Sequence, residues 1–461
     1  MLFCSYVFVL LFLPLTAAGY FLLNKWHHKA GKLYLLTASF FFYGYFNPAY
    51  LLLLAASLVF NYLTGMLLWK KADRLLLAFG IAVNILLLGY CKYYDFFVEN
   101  INWIFGTDLV LKNLLLPLGI SFFTFQQISY LCDVYHRELA ERYSPLTYTL
   151  FVTFFPQLVA GPIVLANEMM PQFADERNLK PDEHNLSCGI FVFSLGLAKK
   201  MLLADNFAGI ADRTFNMAVP MFADSFTGTL AYCLQIYFDF SGYCDMAIGI
   251  GLIFNIKLPV NFYAPYLSAN IQEFWRKWHI TLGRFMSQFV YIPLGGSREG
   301  RVRTYINLAV TFLVSGLWHG ANWMMILWGA LHGTAIVIHR IWSRELKMKM
   351  PKLAGTVLTF VFVWLVWIFF RAENAAQAGK VLAGFTDFNA AGFREFTDEY
   401  SLNTLGLFVV SAFIIIFLPP ANSFASKEFQ PKRWHLTTAF ILLLSSIFCF
   451  NRISPFIYFN F

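Results

Sequence analysis

Charged side chains are scarce in this sequence of 461 residues, where they make up 13% of the chain against about 25% in a typical soluble protein. Hydrophobic residues make up 59% and aromatic residues 19%, including 53 phenylalanines. This composition excludes a disordered chain, and a single water-soluble core cannot bury so many phenylalanines. With a mean hydropathy of +0.59, the sequence predicts a protein whose solvent is a lipid bilayer.

Several binding and catalytic signatures are also absent. The seven cysteines are scattered without a CxxC pair, so we expect neither a metal site nor a disulfide framework. No HExxH, GxSxG, GxxxxGK[ST] or EF-hand pattern occurs, which leaves a metalloprotease, a common-fold hydrolase and a P-loop ATPase unsupported. The net charge of +8 is divided among short clusters between apolar runs, as in cytoplasmic loops of membrane proteins. We therefore expect membrane lipids, and no nucleic acid, as partners.

Apolar segments recur along the chain with short breaks. They predict an all-α polytopic membrane protein with about 11 transmembrane helices plus re-entrant or interfacial helices, forming one domain over residues 1–461. The first run has no basic region before it, so we interpret it as a retained helix and not as a signal peptide. The basic loops at 24–32 and 69–74 place the amino terminus outside and these loops in the cytoplasm. The apolar segments are 2–23, 33–46, 48–68, 75–91, 109–131, 146–165, 186–204, 227–254, 304–318, 321–340, 354–370, 402–418 and 435–450.

Ionisable groups inside such segments are candidate functional residues, because burying them in lipid costs several kcal/mol. Gln235, Asp239 and Asp245 fall on a run that otherwise has the pattern of a membrane span. The two acids are six residues apart, about 600° around a helix, so they point to different sides and do not form a carboxylate pair. They either bind a cation or pair with Arg or Lys from another helix, and the pattern favours pairing.

A second polar cluster runs from Phe274 to Phe285 and contains Trp278 and His279. Its aromatic rings and cations are typical of a helix at the membrane interface. That interpretation leaves His279 unexplained, since a histidine adds nothing to anchoring. His279 is therefore a candidate functional residue.

A third cluster, Ser315 to Trp323, contains His319 between Gly316 and Gly320, which allow a backbone or ligand to approach closely. Imidazole has a pKa near 6.5, so it accepts and returns a proton near neutral pH. The alternative is a core histidine bonded to a backbone carbonyl. His332 is thirteen residues after His319, about 220° further around if the helix is continuous, so the two histidines need not share a face. For His332 a role in helix packing is the favoured interpretation.

These clusters belong to longer motifs, which follow one another in a fixed order. The motifs are FNPAYLLLL, PLGISFFTFQQISYLCDVY, FFPQLVAGPI, YFDFSGYCDMAIGIGLIFNIKLPVNFYAPY, FWRKWHITLGRFMSQFVYIPLGGSREG, SGLWHGANWMMILWGALHG and SPFIYFNF. Together they resemble the membrane-bound O-acyltransferase (MBOAT) family. Within it, the sequence looks most like the bacterial branch that includes the membrane subunit of alginate O-acetylation and the D-alanyl transferase of teichoic acids.

The resemblance implies an MBOAT-like ring of helices, thin at its centre, with a funnel from each membrane side meeting near a catalytic histidine. His319, in LWHG, matches the family's near-invariant histidine and is implied to be the general base. His279, in WHITL, matches the second histidine of the bacterial branch and is implied to orient or support the same site. The remaining residues that we expect to line the substrate site are Trp278, Trp318, Asn322, Asp239 and Gln235.

The implied reaction moves an acyl group, with acetyl preferred, from a cytoplasmic thioester to hydroxyls of an extracytoplasmic polysaccharide or of a partner protein. The donor would be acetyl-CoA or an acyl-carrier thioester, with no bound cofactor. YIPLGGSREG fits the acetylating members better than the D-alanylating ones, although Ser287-Gln288 stand where this branch often has Arg-Asp. D-alanyl transfer to teichoic acid from a carrier-protein thioester is the alternative.

The resemblance also implies partners and a location. The partners would be a secreted or membrane-anchored protein of hydrolase-like fold and a cytoplasmic acyl carrier protein, at the cytoplasmic membrane of a bacterium. The aromatic tail from Phe456 to Phe461 either docks such a partner or anchors at the membrane interface. A proton-coupled transporter or flippase is a rival hypothesis, but transporters tend to have internal repeats and none is visible. A catalytically silent assembly subunit is a third.

Overall fold

The computed structural model of the chain describes residues 1–388, 402–452 and 456–457. These residues form helices and irregular segments without a β-strand, which confirms the predicted all-α class. The helices of the described residues are α1 (Val7–Trp26), α2 (His28–Gly44), α3 (Ala49–Lys70), α4 (Arg74–Phe105), α5 (Ile120–His136), α6 (Pro145–Thr153), α7 (Phe155–Leu158), α8 (Ala166–Ala174), α9 (Glu183–Asn216), α10 (Phe222–Ile253), α11 (Ile271–Lys277), α12 (Ile280–Met286), α13 (Arg301–His319), α14 (Trp323–Glu345), α15 (Lys352–Arg371), α16 (Ala375–Gly384), α17 (Leu402–Phe417) and α18 (Arg433–Phe448).

Seven of these helices are long and apolar enough to cross a bilayer, counted over the described residues: α1, α3, α4, α9, α10, α14 and α15. The apolar helices α17 and α18 are shorter. The chain is therefore a multi-pass membrane protein. Length and apolar composition identify seven membrane-crossing helices among the described residues, and they do not decide whether the shorter helices cross the membrane. The number of about 11 crossings therefore stays a prediction.

The chain divides into two compact units. The first consists of residues 1–197, 243–259 and 424–450, and the second of residues 198–242, 260–423 and the described part of 451–461. Helices α9 and α10 each contribute residues to both units. Of the candidate residues that the sequence identified, Asp245 belongs to the first unit and the others belong to the second. The prediction of one domain over the whole chain is not tested by this division.

In the first unit, two predicted apolar runs are only partly helical. The run 109–131 becomes helical at Ile120, because Pro117 lacks a backbone donor and disfavours helix at the residue before it. The backbone amides of Lys112 and Asn113 instead donate to the Asp95 carboxylate, at 2.7 and 2.9 Å. Apolar composition therefore did not predict where the helix begins, and Val110 and Leu115 in the irregular part of the run are exposed.

The run 146–165 is likewise interrupted. Helix α6 ends at Thr153, the backbone of Phe154 leaves the helical region, and the short α7 restarts with Pro156 near its first position. Residues 159–165 are then not helical. A run of this composition predicts one span, and the structure instead has two short helices followed by a loop.

In the second unit, α13 and α14 pack with their backbones in close contact. A Cβ atom built on Gly316 would lie 2.3 Å from the carbonyl oxygen of Met325, and one on Gly329 would lie 2.4 Å from that of Phe312. Only glycine permits this approach. The expectation that Gly316 admits a second backbone is confirmed, and the crossing fixes where His319 lies at the end of α13.

Candidate active site

A short antiparallel backbone pairing sets the position of His279. Phe262 and Trp278 form an isolated antiparallel bridge, and the amide of Ile280 donates to the carbonyl oxygen of Asn261 at 3.0 Å. This pairing holds Trp278 extended between α11 and α12. His279 thus lies at a break between two short helices and not within a continuous interfacial helix, as the sequence pattern suggested.

The backbone of His279 is in the left-handed region, with φ of +45°. Non-glycine residues adopt this conformation uncommonly, at a cost of about 1–3 kcal/mol, and such residues cluster at functional sites. Its carbonyl oxygen accepts a hydrogen bond from the amide of Gly283 at 3.0 Å, which continues the chain into α12. The conformation is therefore held by the surrounding backbone bonds.

The imidazole of His279 is 1% exposed and lies against a buried amide. Its Nδ1 is 3.2 Å from Oδ1 of Asn261, and the same oxygen is 3.2 Å from the amide of Thr281 and 2.9 Å from its hydroxyl. Burial lowers the pKa of His279 far below its ordinary value, because the charged form loses its hydration. The ring is therefore neutral at pH 7.

His319 is the last residue of α13 and is 2% exposed. Its ring centroid lies 6.2 Å from that of His279, so two motifs far apart in the sequence bring their imidazoles together. Trp318 lies beside both rings, at 6.0 Å from His279 and 5.0 Å from His319. On its other sides the His319 ring contacts Trp328 and Phe370, at 5.0 and 5.2 Å. The pair of histidines is thus enclosed by aromatic rings.

The other expected lining residues have identifiable neighbours. Trp278 is buried and packs against Trp367, with ring centroids 4.9 Å apart. Asn322 caps the start of α14, since its side-chain oxygen accepts the amide of Met325 at 2.9 Å. Both contacts have structural functions, and a role in substrate binding stays a prediction for both residues.

Asp239 is part of a buried charge cluster. The ammonium of Lys200, on α9, lies 2.7 Å from carboxylate oxygens of both Asp205 and Asp239. The backbone amide of Ile457 donates to the second oxygen of Asp239 at 2.8 Å, while residues 458–461 of the aromatic tail lie outside the described residues. The preference for pairing over cation binding is confirmed for Asp239, as expected for buried charges. Gln235 is also buried on α10.

A cavity of about 460 Å³ lies in the second unit, next to the histidine motifs. Its lining includes Ile280, which follows His279, and Ser315, one helical turn before His319. Ser287 of the motif's unusual Ser-Gln pair also lines it. So do three arginines, two from the motif that contains WHITL and one from the end of α14: Arg276, Arg284 and Arg340. The cavity therefore combines apolar and aromatic walls with guanidinium groups that suit a phosphate or carboxylate.

His332 lies in an aromatic environment on α14. It is fully buried, its Nδ1 accepts a hydrogen bond from Nε1 of Trp275 at 3.3 Å, and its ring is 4.8 Å from that of Trp328. This agrees with the packing role predicted for it. Because Trp275 lines the cavity, His332 also holds one wall of the cavity in place.

Among the residues that sequence reasoning missed, Lys200 and Asn261 bond directly to a candidate residue. Lys200 follows Lys199 near the end of an apolar run, and such a pair signals a loop as readily as a buried counter-ion. Asn261 lies in PVNFYAPY, where nothing in the pattern distinguishes it from a turn residue. Only the tertiary structure shows that each bonds to a candidate residue. Among the described residues, no group of three or more His, Cys, Asp or Glu side chains is arranged to hold a metal ion.

Comparison with known proteins identifies the family to which these motifs belong. Residues 20–374 match the family model described as MBOAT, membrane-bound O-acyltransferase family. The chain belongs to the membrane-bound O-acyltransferase family. The MBOAT match includes both histidine motifs, α10 and the cavity.

Named relatives refine the MBOAT assignment. The chain is 43% identical to the peptidoglycan O-acetyltransferase of Helicobacter pylori, over 100% of this chain and 98% of the relative. It is 40% identical to a probable alginate O-acetylase, AlgI, of Azotobacter vinelandii, over 84% of this chain and 78% of the relative. Identity to the teichoic acid D-alanyltransferase of Streptococcus thermophilus is 27%, over 56% of this chain and 69% of the relative. The chain is therefore an enzyme, an O-acyltransferase, and none of these matches is to a transporter.

Proposed function

We propose that this enzyme transfers an acetyl group from a cytoplasmic thioester toward hydroxyls of an extracytoplasmic polysaccharide, directly or through a partner protein. The observation that carries the proposal is the pair of buried imidazoles, His279 and His319, with ring centroids 6.2 Å apart in a member of an O-acyltransferase family. We assign the proton transfer to the imidazole of His319, and that of His279 lies close enough to support the same reacting centre.

In the proposed reaction, His319 is the general base. It takes the proton of the acceptor hydroxyl while the hydroxyl oxygen attacks the thioester carbonyl carbon. The tetrahedral intermediate then collapses, the carbon–sulfur bond breaks, and the proton passes to the leaving thiolate, so that the products are an ester and a thiol. A thioester is already activated, and a positioned base contributes about 10²–10⁴-fold. The aromatic wall formed by Trp318 keeps the site poor in water, which strengthens dipoles that stabilise the oxyanion.

The cavity supports a phosphorylated donor. Guanidinium groups bind phosphate oxygens in a bidentate manner, and three of them line the cavity beside Ile280 and Ser315. Arg340 also begins the basic run that ends at Lys352, which the positive-inside rule places in the cytoplasm. A phosphopantetheine thioester, either acetyl-CoA or an acyl-carrier thioester, has the phosphate and the narrow arm that such a cavity accepts. No bound cofactor enters the reaction.

The relatives suggest the acceptor and the location. Peptidoglycan O-acetylation, named for the relative that aligns over the whole chain, is the first candidate, and alginate-type O-acetylation is the second. Both acceptors are polymers outside the cytoplasmic membrane, so the acetyl group must cross that membrane or pass to a protein beyond it. We accordingly propose a hydrolase-like partner there and a location in the bacterial cytoplasmic membrane.

D-alanyl transfer is the second candidate function. It is favoured by the similarity to teichoic acid D-alanyltransferases, although that similarity covers only 56–57% of this chain. The two candidates differ in the donor: acetyl transfer uses an acetyl thioester, whereas D-alanyl transfer requires a D-alanyl thioester on a carrier protein. The residues that would hold either donor arm are the same three arginines.

Radiolabelled donor distinguishes these candidates. Membrane vesicles from cells that express the chain with its envelope partners should move label from acetyl-CoA or from an acetyl-loaded carrier protein into alkali-labile esters. Arg340→Gln should raise the donor KM about 10–100-fold without lowering kcat, since one charge-assisted hydrogen bond is worth about 1.5–3 kcal/mol. Arg177→Gln, at an exposed arginine of the first unit, is the matched control and should leave KM unchanged. Transfer from a D-alanyl carrier thioester, with none from acetyl donors, would contradict acetylation.

A further inference from the structure

Asn261 is a buried amide that contacts the side chain of His279, and it was not among the candidate residues selected from the sequence. It is fully buried in the extended segment that follows α10. Its Oδ1 faces three groups at the start of α12: Nδ1 of His279 at 3.2 Å, the amide of Thr281 at 3.2 Å and the hydroxyl of Thr281 at 2.9 Å. One oxygen atom therefore ties the imidazole to the backbone that begins α12.

The chemistry of these groups fixes where the hydrogen of the imidazole lies. The backbone N–H of Thr281 can only donate, so the amide atom that faces it must be the oxygen of Asn261 and not its nitrogen. An amide oxygen can only accept, and Nδ1 of His279 must therefore carry a hydrogen. A neutral imidazole has one such hydrogen, which leaves the lone pair on Nε2.

We infer that Asn261 is a positioning residue, which holds His279 in the tautomer whose Nε2 accepts a hydrogen bond at the acyl-transfer centre. This inference rests on the proposed function. A partner on one ring nitrogen commonly fixes both the orientation of a functional histidine and the nitrogen that remains basic. Here the partner acts together with the left-handed backbone of His279, so that main chain and side chain are constrained at once.

The surroundings of His279 make a charge at position 261 easy to detect. From α13, the titratable neighbour is His319, at a ring-centroid distance of 6.2 Å. From α10, the ring of Phe240 packs at 4.8 Å, and the acid next to it in sequence, Asp239, is paired with Lys200. A carboxylate introduced at position 261 would act on His279 at hydrogen-bond distance, closer than either of these groups.

Two variants test the assignment by label transfer from acetyl-CoA in membrane vesicles. Asn261→Asp keeps an acceptor for Nδ1 and adds a negative charge, which favours the imidazolium form of His279. The acid limb of its kcat–pH profile should therefore move to higher pH by about 1–3 units, with kcat retained on the alkaline side. Asn261→Leu removes the acceptor and should lower kcat at least about tenfold at every pH, with the donor KM unchanged.

Asn307→Asp is the control for the acid substitution. Asn307 is also a buried amide of the second unit, but it donates to the carbonyl oxygen of Gly296 and should give a wild-type pH profile. The inference is overturned if Asn261→Leu keeps a wild-type kcat, or if Asn261→Asp is active but has an unshifted acid limb. It is also overturned if the variants at position 261 are equally impaired at all pH values. Absence of transfer by the wild-type protein from every thioester donor would instead count against the proposed function.

Discussion

Two buried polar clusters in the second unit are built on opposite principles. The first, formed by Lys200, Asp205 and Asp239, consists of full charges that neutralise one another at 2.7 Å. The second, formed by His279 and His319, consists of two imidazole rings packed among aromatic side chains. We call them the charge cluster and the imidazole cluster. Removing one member of the charge cluster should cost stability, whereas removing one member of the imidazole cluster should cost catalysis.

The largest expected effect is on the rate. His319→Ala should lower kcat by about 10²–10⁴-fold, because it removes the general base. The initial rate of label transfer from acetyl-CoA, divided by the amount of inserted protein, measures this. His339→Ala, a half-buried histidine of α14 outside the cluster, is the matched control. Equal rates for the two variants would show that His319 is not the general base.

A smaller effect should follow from moving the imidazole cluster without changing its chemistry. Gly316→Ala places a methyl group 2.3 Å from the carbonyl oxygen of Met325, so α13 must shift against α14 and carry His319 with it. A displacement of about 1 Å can cost about 10²-fold in rate. Gly209→Ala, where no atom lies within 4 Å of the new methyl group, should be neutral. A wild-type rate for Gly316→Ala would show that the close packing of α13 against α14 does not determine the position of His319.

The smallest effect on the rate should come from the charge cluster. Lys200→Met leaves two buried carboxylates without their common cation, and breaking a buried ion pair costs about 3–5 kcal/mol. The unfolding temperature in detergent should therefore fall clearly, while the rate per folded molecule should stay near that of the wild type. An unchanged unfolding temperature together with a large loss of rate would show that the charge cluster takes part in catalysis.

The comparison also separates what the sequence could and could not predict. Composition and apolar runs predicted the membrane class and most helices, and the motif resemblance pointed to His279 and His319, which the structure brings together. The irregular stretch before Ile120 was not predicted, because an apolar run does not specify backbone conformation around Pro117. Lys200 and Asn261 were missed for a related reason. Each acts through a residue far away in the sequence, and such pairings arise only when the chain folds.

The central claim is that chemistry resides in the imidazole cluster and that the charge cluster supports the fold. Label transfer from acetyl-CoA, measured side by side for His319→Ala and Lys200→Met and divided by the amount of folded protein, tests it most directly. The account predicts that His319→Ala is folded but slower by at least about 10²-fold, and that Lys200→Met is less stable but nearly as fast per folded molecule. The opposite pattern, an active His319→Ala and a folded but inactive Lys200→Met, would contradict it.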